Sequence, residues 1–340
     1  MLHGRSHMAK AAILGASGYV GAELLRLCAG HPHIRATRLI GDSRAGEPLV
    51  AVHPQLALDY SGARIESFDG SALDGVDLAF AALPHGHSQR LAPAILERGI
   101  PFIDLGADFR LGSGADYERW YGERHEAPDL LDRFSYGLPE LHRDTIRDAK
   151  AVAAPGCYPT AAILALKPLL EWIEPASIIV DAVSGVTGAG RAAKQATHFS
   201  TVAESFAAYG LLNHRHTAEM EMELGEGILF TPHLAPMNRG ILATCYATTK
   251  APCDPLALLR EAYAGEPFIQ VTELPPATKW VLGTNSAQVT ARYDERTGRI
   301  LAIAAIDNLG KGAAGQMIQC ANLMLGFEET CGLARSGVCP

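Results

Sequence analysis

The sequence predicts an α/β fold in two domains, a doubly wound parallel sheet followed by an α+β domain. Up to about residue 154, strand-like apolar runs alternate with helix-like segments, which is typical of a parallel sheet covered by helices. Beyond about residue 160 the strand-like runs are longer and follow one another, which favours an antiparallel or mixed sheet. At roughly 150 residues per domain, a chain of 340 residues also gives about two domains.

The first half begins with a strand, a glycine-rich turn and a helix. From Ala11 the sequence reads AAILGASGYVGAELLRLCAGHP, in which Gly30 and Pro32 close an amphipathic helix. A second helix is predicted over HSQRLAPAILERG, residues 87–99. The further strand-like runs of this half are RATRLIG (35–41), VDLAFAAL (76–83), IPFIDL (100–105) and AVAA (151–154).

The second half contains long strand-like runs and a final helix. The ERTG turn at residues 295–298 joins the last two runs as a hairpin. The helix KGAAGQMIQCANLMLGF follows this hairpin, and its apolar face requires a packing partner. That face consists of Met317, Ile318, Ala321 and Leu325. The strand-like runs are SIIVDAVSG, GILFTPHLA, GILATCYATT, AQVTARYD and RILAIAAID.

Composition and charge exclude several classes of protein. Hydrophobic residues make up 48% of the chain and charged residues 19%, as in globular enzymes and unlike disordered chains. The net charge of −8, without any basic run, argues against nucleic-acid binding. No apolar run approaches the roughly 20 residues of a membrane span, and no secretory signal is visible. We interpret residues 1–7 of the opening MLHGRSHM as an expression leader and place the native start near Met8.

The cysteines indicate a reducing compartment. Their number is odd, seven, and no two of them form a CxxC pair. Because disulfides are rare in the cytosol, this usage predicts a cytoplasmic protein. The cysteines lie at positions 28, 157, 245, 253, 320, 331 and 339.

The turn after the first strand predicts a dinucleotide site. Gly15, Gly18 and Gly21 form G-x-x-G-x-x-G between a strand and a helix, where small residues let backbone amides approach a pyrophosphate. A tight turn between strand and helix that binds no ligand is the alternative. The cofactor-binding candidates of this turn are Gly15, Ser17, Gly18, Tyr19, Val20 and Gly21.

Two further segments bear on the cofactor. After the second strand the sequence reads Gly41-Asp42-Ser43-Arg44. Ser43 and Arg44 favour the 2′-phosphate of NADP(H), whereas Asp42 keeps NAD open. The segment LPHGHS, residues 83–88, follows a strand and opens onto the carboxyl edge of the sheet, so we count Pro84 as cofactor-binding. Its two histidines are catalytic candidates or ordinary turn residues.

One cysteine differs from the others in its position. Cys157 lies between a Pro-Gly turn and the start of the helix TAAILALKPLLEWI, and a helix N-terminus lowers the pKa of a thiol. Cys245 lies within a strand, and Cys28 and Cys320 lie within helices, positions typical of buried apolar residues. Cys157 is therefore the candidate nucleophile.

A thiolate nucleophile requires an acid or base beside it, and NHRHTAEMEMEL, residues 213–224, offers two histidines. We predict Thr217 as the N-cap of a helix. Glu219 follows His216 by three residues, so its carboxylate could steady the imidazole if the helix extends back that far. His214 is the alternative acid or base. No HExxH motif or cysteine pair offers a set of metal ligands, so we predict no metal.

Nine blocks of the chain, read in order, resemble the N-acetyl-γ-glutamyl-phosphate reductase family, from Ala11 to about Gly326. PGCYPT and HRHTxE are the most specific of these features. The blocks are GASGYVGAELLRL, LPHGHS, DLGADFRL, YGLPEL, VAAPGCYPTAAILALKP, SGVTGAGR, HRHTAEM, RGILAT and AIDNLGKGAAGQ.

The resemblance implies a fold and a domain division. We expect a Rossmann-type domain over residues 8–156, rejoined by the C-terminal helix of residues 311–340. Residues 157–310 would form a catalytic and oligomerisation domain like that of glyceraldehyde-3-phosphate and aspartate-semialdehyde dehydrogenases. The resemblance also implies a homo-oligomer, a dimer or a tetramer.

The resemblance implies a reaction of arginine biosynthesis as well. Cys157 would attack N-acetylglutamyl phosphate, NADPH would reduce the resulting thioester, and His216, held by Glu219, would transfer the proton. In SGVTGAGR, Gly185 and Gly188 expose backbone amides suited to the nicotinamide side or to the substrate phosphate.

The resemblance also assigns contacts with substrate and cofactor. Arg191, Arg110 and Arg239 are candidates for the substrate's anionic groups. Asn308 would face the cofactor.

Other functions are compatible with parts of this pattern. A homologous reductase that acts on N-acetylaminoadipyl phosphate shares most of the motifs. An aspartyl-phosphate reductase differs in its cysteine and histidine blocks. A nonenzymatic dinucleotide sensor would not require the intact cysteine and histidine blocks, and a cysteine hydrolase would not require the Gly15 turn.

Overall fold

The computed structural model describes residues 8–338, so the predicted leader lies outside the described residues. The chain divides into two compact units. The first comprises the chain through Glu118 together with Glu123–Ala154 and Ala314–Leu333. The second comprises Arg119–Gly122, Pro155–Ala313 and the chain from Ala334 onward. Among the described residues, no helix is long and apolar enough to cross a membrane.

The described residues form thirteen strands and eleven α-helices, numbered here in chain order. The strands are β1 Ala9–Leu14, β2 Ile34–Ile40, β3 Leu78–Ala81, β4 Phe102–Asp104, β5 Phe134–Tyr136, β6 Ala151–Ala153, β7 Ile179–Gly185, β8 Ala207–Ala208, β9 Leu229–Ala235, β10 Ile241–Thr248, β11 Ile269–Val271, β12 Ala287–Asp294 and β13 Arg299–Ile306. The helices are α1 Tyr19–Gly30, α2 Leu49–Val52, α3 Ala57–Tyr60, α4 Ser88–Glu97, α5 Gly114–Tyr121, α6 Pro139–Asp148, α7 Cys157–Leu166, α8 Phe199–Val202, α9 His216–Leu224, α10 Pro255–Ala262 and α11 Gly315–Met324.

The first unit contains a six-stranded sheet in the order β2-β1-β3-β4-β6-β5, and all its neighbouring strands are parallel. Alternate residues of β1 belong to different cores: Ile13 packs with residues of α1 and α11, and Leu14 packs with residues of α4. Because helices cover both faces, the strands are apolar on both sides. The prediction of a doubly wound parallel sheet is confirmed.

The last helix packs within the first unit. A π-helical turn, Gly310–Ala314, precedes α11. Met317, Ile318 and Ala321 are fully buried in the same core as Ile13, and Leu325 packs against that core. The apolar face of the last helix, which required a packing partner, therefore covers one side of the parallel sheet.

The second unit contains a seven-stranded mixed sheet in the order β11-β12-β13-β10-β7-β9-β8. Its pairs β12–β13, β13–β10, β10–β7 and β9–β8 are antiparallel, whereas β7–β9 and β11–β12 are parallel. Strands β12 and β13 flank residues 295–298, which confirms the predicted hairpin. Helix α7 packs against β10, β12 and β13, and the alternate residues Ala243, Cys245 and Ala247 of β10 are fully buried.

The other face of the mixed sheet is largely apolar but more exposed. On β10 it presents Leu242, Thr244 and Tyr246, and Tyr246 is 38% exposed. The strand registers align three rows of side chains across this face, which we call the open face, and the rows contain no Lys or Glu. The rows are Gln288–Ala305–Leu242–Val183–His233, Thr290–Ile303–Thr244–Asp181–Thr231 and Arg292–Leu301–Tyr246–Ile179–Leu229.

Candidate active site

The glycine-rich turn of the first unit leaves no room for side chains at two positions. Gly15 has a φ of +92°, and a Cβ there would lie 2.3 Å from the carbonyl oxygen of Ala82. A Cβ on Gly21 would lie 2.2 Å from the carbonyl oxygen of Gly15, so the third glycine lets α1 pack closely on the turn. Gly18 is the N-cap of α1. The turn therefore brings bare backbone to a helix N-terminus, as the binding of a pyrophosphate requires.

The side chains that follow β2 differ in their contacts and in their exposure. Asp42–Arg44 forms a 3-10 turn, and the Asp42 carboxylate accepts a hydrogen bond from the Phe68 N–H at 3.0 Å. Ser43 and Arg44 are exposed, and the Arg44 guanidinium is paired with Glu47 at 3.2 Å. Asp42, the residue that would favour NAD, thus binds the backbone of a neighbouring loop. Ser43 and Arg44, the residues that favour NADP(H), are on the surface at the end of β2.

Cys157 is the first residue of α7 and is partly exposed. A Cβ on Gly312, in the π-helical turn, would lie 2.8 Å from the Cβ of Cys157. Only glycine fits at position 312, because this turn lies directly against the cysteine. The α7 N-terminus stabilises a thiolate at this position through its dipole and free N–H groups.

The buried cysteines contrast with Cys157. Cys28, Cys245 and Cys320 are fully buried. Burial raises the pKa of the Cys28 thiol and of the Cys245 thiol to about 12. These two thiols are therefore neutral and unreactive near neutral pH.

His216 lies against the residue that precedes the cysteine. A Cβ on Gly156 would lie 2.5 Å from the Nε2 atom of His216 and 2.7 Å from its Cε1 atom. Helix α9 begins at His216 itself, and its N-cap is Arg215, so the prediction of Thr217 as N-cap is wrong. The helical geometry that the pairing of His216 with Glu219 required does extend back to the histidine.

Glu219 is fully buried, and its Oε2 atom accepts a hydrogen bond from the Gly156 N–H at 2.8 Å. The carboxylate therefore fixes the backbone immediately before Cys157. The sequence spacing predicted a carboxylate directed to the imidazole, and the hydrogen bond to Gly156 joins Glu219 to a residue 63 positions earlier as well. One turn of α9 thus brings both His216 and Glu219 to Gly156.

His214 has a different environment from His216. Its Nδ1 atom accepts a hydrogen bond from the His216 backbone N–H at 3.2 Å. Its ring packs against the rings of Tyr158, Tyr209 and Phe230, with centroids 5.8, 5.6 and 5.3 Å away. Burial, with a smaller contribution from the charge of Arg215, lowers the pKa of His214 to about 4. The imidazole of His214 is therefore neutral near neutral pH and supports the start of α9.

The turn after β7 is held by Asn308. The Asn308 Oδ1 atom accepts a hydrogen bond from the Gly240 N–H at 2.8 Å, and its Nδ2 atom donates to Thr187 Oγ1 at 3.0 Å. A Cβ on Gly185 would lie 2.7 Å from the Asn238 carbonyl oxygen, and one on Gly188 would lie 3.1 Å from Ser184 Oγ. Close packing against backbone atoms therefore requires glycine at position 185, and position 188 leaves little room for a side chain.

The three candidate arginines have different surroundings. Arg239 is ion-paired in the second unit, with its Nε atom 2.9 Å from Asp307 Oδ2. Arg191 is exposed after the turn that contains Gly188. Arg110 is buried in the first unit, where its Nη2 atom donates to the Leu105 carbonyl oxygen at 2.6 Å. Pro84 is exposed in the loop after β3.

The second unit thus assembles Cys157, His216, Glu219 and His214 around Gly156. Sequence reasoning did not single out Gly156 or Gly312, although both stand in the quoted blocks PGCYPT and NLGKGAAGQ. Within residues 8–338, no group of three or more His, Cys, Asp or Glu side chains is arranged to hold a metal ion.

Comparisons with known proteins place this chain in a family. A family model described as semialdehyde dehydrogenase, NAD binding domain, matches residues 10–149, and one described as semialdehyde dehydrogenase, dimerisation domain, matches residues 157–308. The chain is 47% identical to an N-acetyl-γ-glutamyl-phosphate reductase of Moorella thermoacetica, covering 98% of this chain and 100% of the relative. One from Symbiobacterium thermophilum is 48% identical over 96% of this chain and 97% of the relative. The chain belongs to the N-acetyl-γ-glutamyl-phosphate reductase family.

Solved structures share the fold of this reductase family member. Aspartate semialdehyde dehydrogenase II from Vibrio cholerae superposes with a TM-score of 0.72 at 20% identity, covering 94% of this chain and 99% of that chain. Aspartate semialdehyde dehydrogenase with NADP from Candida albicans gives a TM-score of 0.68 at 16% identity, covering 94% of this chain and 98% of that chain. For a member of the reductase family, the first unit carries the NAD(P)-binding domain and the second the dimerisation domain.

Proposed function

We propose that the chain catalyses the NADPH-dependent reduction of N-acetyl-γ-glutamyl phosphate to N-acetylglutamate 5-semialdehyde, with release of phosphate. The observation that carries the proposal is Cys157 at the start of α7 with the His216 imidazole against the adjacent Gly156. The substrate is the one named for relatives that are 43–48% identical over nearly the full chain. We propose a cytoplasmic location and a place in arginine biosynthesis, because the odd number of cysteines favours a reducing compartment.

The dinucleotide turn fits the cofactor of this reaction. A Cβ at Gly15 or Gly21 would overlap a carbonyl oxygen, so only glycine fits at these two positions. The backbone of the turn is therefore accessible to the pyrophosphate of a dinucleotide. Exposed Ser43 and Arg44 favour a 2′-phosphate, and Asp42 is already bound to the Phe68 N–H. NADP(H) is therefore the cofactor that we propose. When bound, it supplies the hydride that reduces the acyl carbon.

The first chemical step uses the cysteine. The Cys157 thiolate, stabilised at the N-terminus of α7, attacks the carbonyl carbon of the acyl phosphate. A C–S bond forms, the C–O bond to the phosphate breaks, and the released phosphate takes a proton from water. The product is a thioester on Cys157. Glu219 keeps the thiolate in position by binding the Gly156 N–H.

The second step needs a proton at the substrate oxygen. After reduction of the acyl carbon, we propose that His216 donates a proton to the oxyanion of the hemithioacetal and takes it back as the carbonyl forms again. The C–S bond then breaks, and Cys157 leaves as the thiolate. His214, with its pKa lowered to about 4, is a neutral imidazole near neutral pH and therefore a poor proton donor. We therefore assign the proton transfer to His216 and a supporting role to His214.

For the anionic groups of the substrate, we propose Arg191. It is exposed beside the turn of Gly185 and Gly188. Arg239 is ion-paired with Asp307, and buried Arg110 donates a hydrogen bond to the Leu105 carbonyl oxygen. We therefore assign these two arginines a structural role and not a contact with the substrate. Asn308, which holds the same turn, would set the position of the nicotinamide side.

The reverse reaction tests this function. N-acetylglutamate semialdehyde, phosphate and NADP⁺ should give a phosphate-dependent rise in absorbance of the reduced nicotinamide. Cys157→Ser should abolish the signal, and Cys253→Ser, which alters another partly exposed cysteine of the second unit, should leave it unchanged. No signal from the wild type, or full turnover by Cys157→Ser, would contradict the proposal. The homologous N-acetylaminoadipate semialdehyde, offered in parallel, should react poorly.

We also propose that the chain is a homo-oligomer that pairs through the open face. The matched dimerisation domain, residues 157–308, contains the whole mixed sheet, and α7 covers only one side of it. The rows of the open face are mainly apolar side chains and threonines, and their charged members are Asp181 and Arg292, without Lys or Glu. The core of an interface is likewise depleted in Lys and Glu, and Arg is enriched there. A second copy in a two-fold arrangement would bury Leu301 and Tyr246.

Light scattering during gel filtration tests this pairing. Leu301→Arg places a charge beside Tyr246 on the open face and should give the mass of a smaller species. The control Leu58→Arg changes a fully exposed leucine of the first unit and should keep the wild-type mass. A monomeric wild type, or a Leu301→Arg variant of unchanged mass, would exclude the open face as the interface.

A further inference from the structure

The loop between β3 and α4 adjoins the glycine-rich turn. Strand β3 pairs with β1, and the Ala82 N–H donates to the Leu14 carbonyl oxygen at 2.8 Å. The Ala82 carbonyl oxygen lies where a Cβ on Gly15 would be, so the start of this loop and the dinucleotide turn are in contact. The carboxyl ends of parallel strands are where doubly wound sheets bind dinucleotides. The conformation of residues 83–88 therefore bears directly on the cofactor site.

A buried carboxylate from the neighbouring strand fixes this loop. Asp108 follows β4, which lies beside β3, and its side chain is fully buried. Its Oδ1 atom accepts a hydrogen bond from the Gly86 N–H at 2.8 Å, and its Oδ2 atom accepts one from the Gln89 N–H at 3.2 Å. Gly86 has a φ of +83°, a conformation that glycine adopts without strain. Asp108 thus holds both the loop and the first turn of α4.

His85 lies between two carboxylates. Its Nδ1 atom is 3.0 Å from Asp108 Oδ1, and its Nε2 atom is 3.0 Å from Glu123 Oε1. The ring also stacks on Tyr117 at a centroid distance of 5.4 Å. The Nε2 atom is also 3.2 Å from the Tyr117 hydroxyl oxygen, so both ring nitrogens face polar groups.

Asp108 carries a negative charge in this cluster. Burial acts to raise the pKa of Asp108, but the hydrogen bonds from His85, Gly86 and Gln89 and the charge of His85 outweigh it and bring the pKa below its ordinary value. Asp108 is therefore ionised at neutral pH. Charges buried at this level are costly unless they are paired and hydrogen-bonded, as they are here.

We infer that Asp108, His85 and Glu123 form an ionic clamp that holds residues 83–88 in the conformation that binds the dinucleotide, with Asp108 as a positioning residue. The inference rests on the proposed function, since it concerns the cofactor of that reaction. The inference extends the proposed function because it assigns a role to the LPHGHS segment, which takes no part in the chemical steps. The clamp links two loops at one sheet edge, and the acyl-transfer residues belong to the other unit.

Direct binding of NADPH, followed by its fluorescence, tests the clamp without turnover. Asp108→Asn should raise the dissociation constant by roughly tenfold or more, the loss expected when a charged hydrogen-bond acceptor is removed. Asp254→Asn is the matched control, because Asp254 also accepts two backbone N–H groups at a helix start, but in the second unit. Its dissociation constant should match the wild type. At saturating NADPH, Asp108→Asn should keep the wild-type KM for the acyl phosphate.

His85→Gln gives a second test of the clamp. This variant keeps the two hydrogen bonds that Asp108 accepts from backbone N–H groups and removes the ring that lies between Asp108 and Glu123. It should raise the dissociation constant of NADPH and, like Asp108→Asn, keep the wild-type KM for the acyl phosphate at saturating NADPH.

The outcomes are distinguishable. A wild type that does not bind NADPH would overturn the proposed function itself. A wild type that binds, with Asp108→Asn binding equally well, would overturn the clamp alone. A His85→Gln variant that binds NADPH as tightly as the wild type would also overturn it, and this variant keeps Asp108 in place if Asp108→Asn fails to fold.

Discussion

The substitution Gly156→Ala tests the geometry of the catalytic centre. The added methyl group would lie 2.5 Å from His216 Nε2, whereas ordinary van der Waals contact begins at 3.4 Å, so the ring must move by about 0.9 Å. Gly156 has φ −66° and ψ 153°, values that alanine adopts freely, so the backbone is not strained. Misplacement of a reacting group by about 1 Å can reduce the rate by about 10²-fold. We expect kcat to fall by about that factor, with KM less affected.

Steady-state kinetics of the reverse reaction would measure this loss. Gly30→Ala is the matched control, because a Cβ at Gly30 meets nothing within 4 Å. It should retain the wild-type kcat. A Gly156→Ala protein that folds and keeps kcat within about threefold of the wild type would refute the assignment of His216 as the proton-transfer residue, since misplacing a general acid or base should cost far more.

Two further predictions follow from the environments of particular residues. His216→Asn should reduce kcat by a factor on the order of 10² to 10⁴, more than His214→Asn does, and a larger loss at His214 would reverse the assignment. Burial raises the pKa of Asp104 from 3.8 to about 7, so the folded protein binds the proton more tightly than the unfolded chain and loses stability as pH rises from about 4 to 7. In urea denaturation, Asp104→Asn should therefore gain stability relative to the wild type over that interval, by up to about 4 kcal/mol at about 1.4 kcal/mol for each tenfold change. A difference that does not vary with pH would contradict the buried-acid interpretation.

Strong local patterns predicted much of the fold. The glycine-rich turn between β1 and α1 and the hairpin between β12 and β13 both depend on residues that are close in sequence. Strands β5, β8 and β11 have only two or three residues, too few for a period to be recognised. The segment predicted as one helix from residue 311 begins instead as a π-helical turn, Gly310–Ala314. That turn depends on the contact of Gly312 with Cys157, which no local pattern reveals.

The sequence predicted which residues form the candidate site but did not predict which groups those residues contact. Placement at a helix start singled out Cys157 correctly as the first residue of α7. Spacing on α9 brought Glu219 and His216 together but did not reveal that the carboxylate binds the Gly156 N–H, because that hydrogen bond joins distant parts of the chain. The choice between the histidines depended on burial, which lowers the pKa of His214 and is set by the packed rings around it.

The burial of Cys28 and Cys245 allows the competent active sites in a sample to be titrated. Thiols whose pKa is raised to about 12 present almost no thiolate to an electrophile at neutral pH. The partly exposed cysteines within residues 8–338 are Cys157, Cys253 and Cys331, and of these Cys157 alone is the first residue of a helix. An alkylating reagent added in small amounts should therefore react first with Cys157. The reagent consumed as activity disappears would measure the concentration of competent active sites, which protein concentration alone does not report.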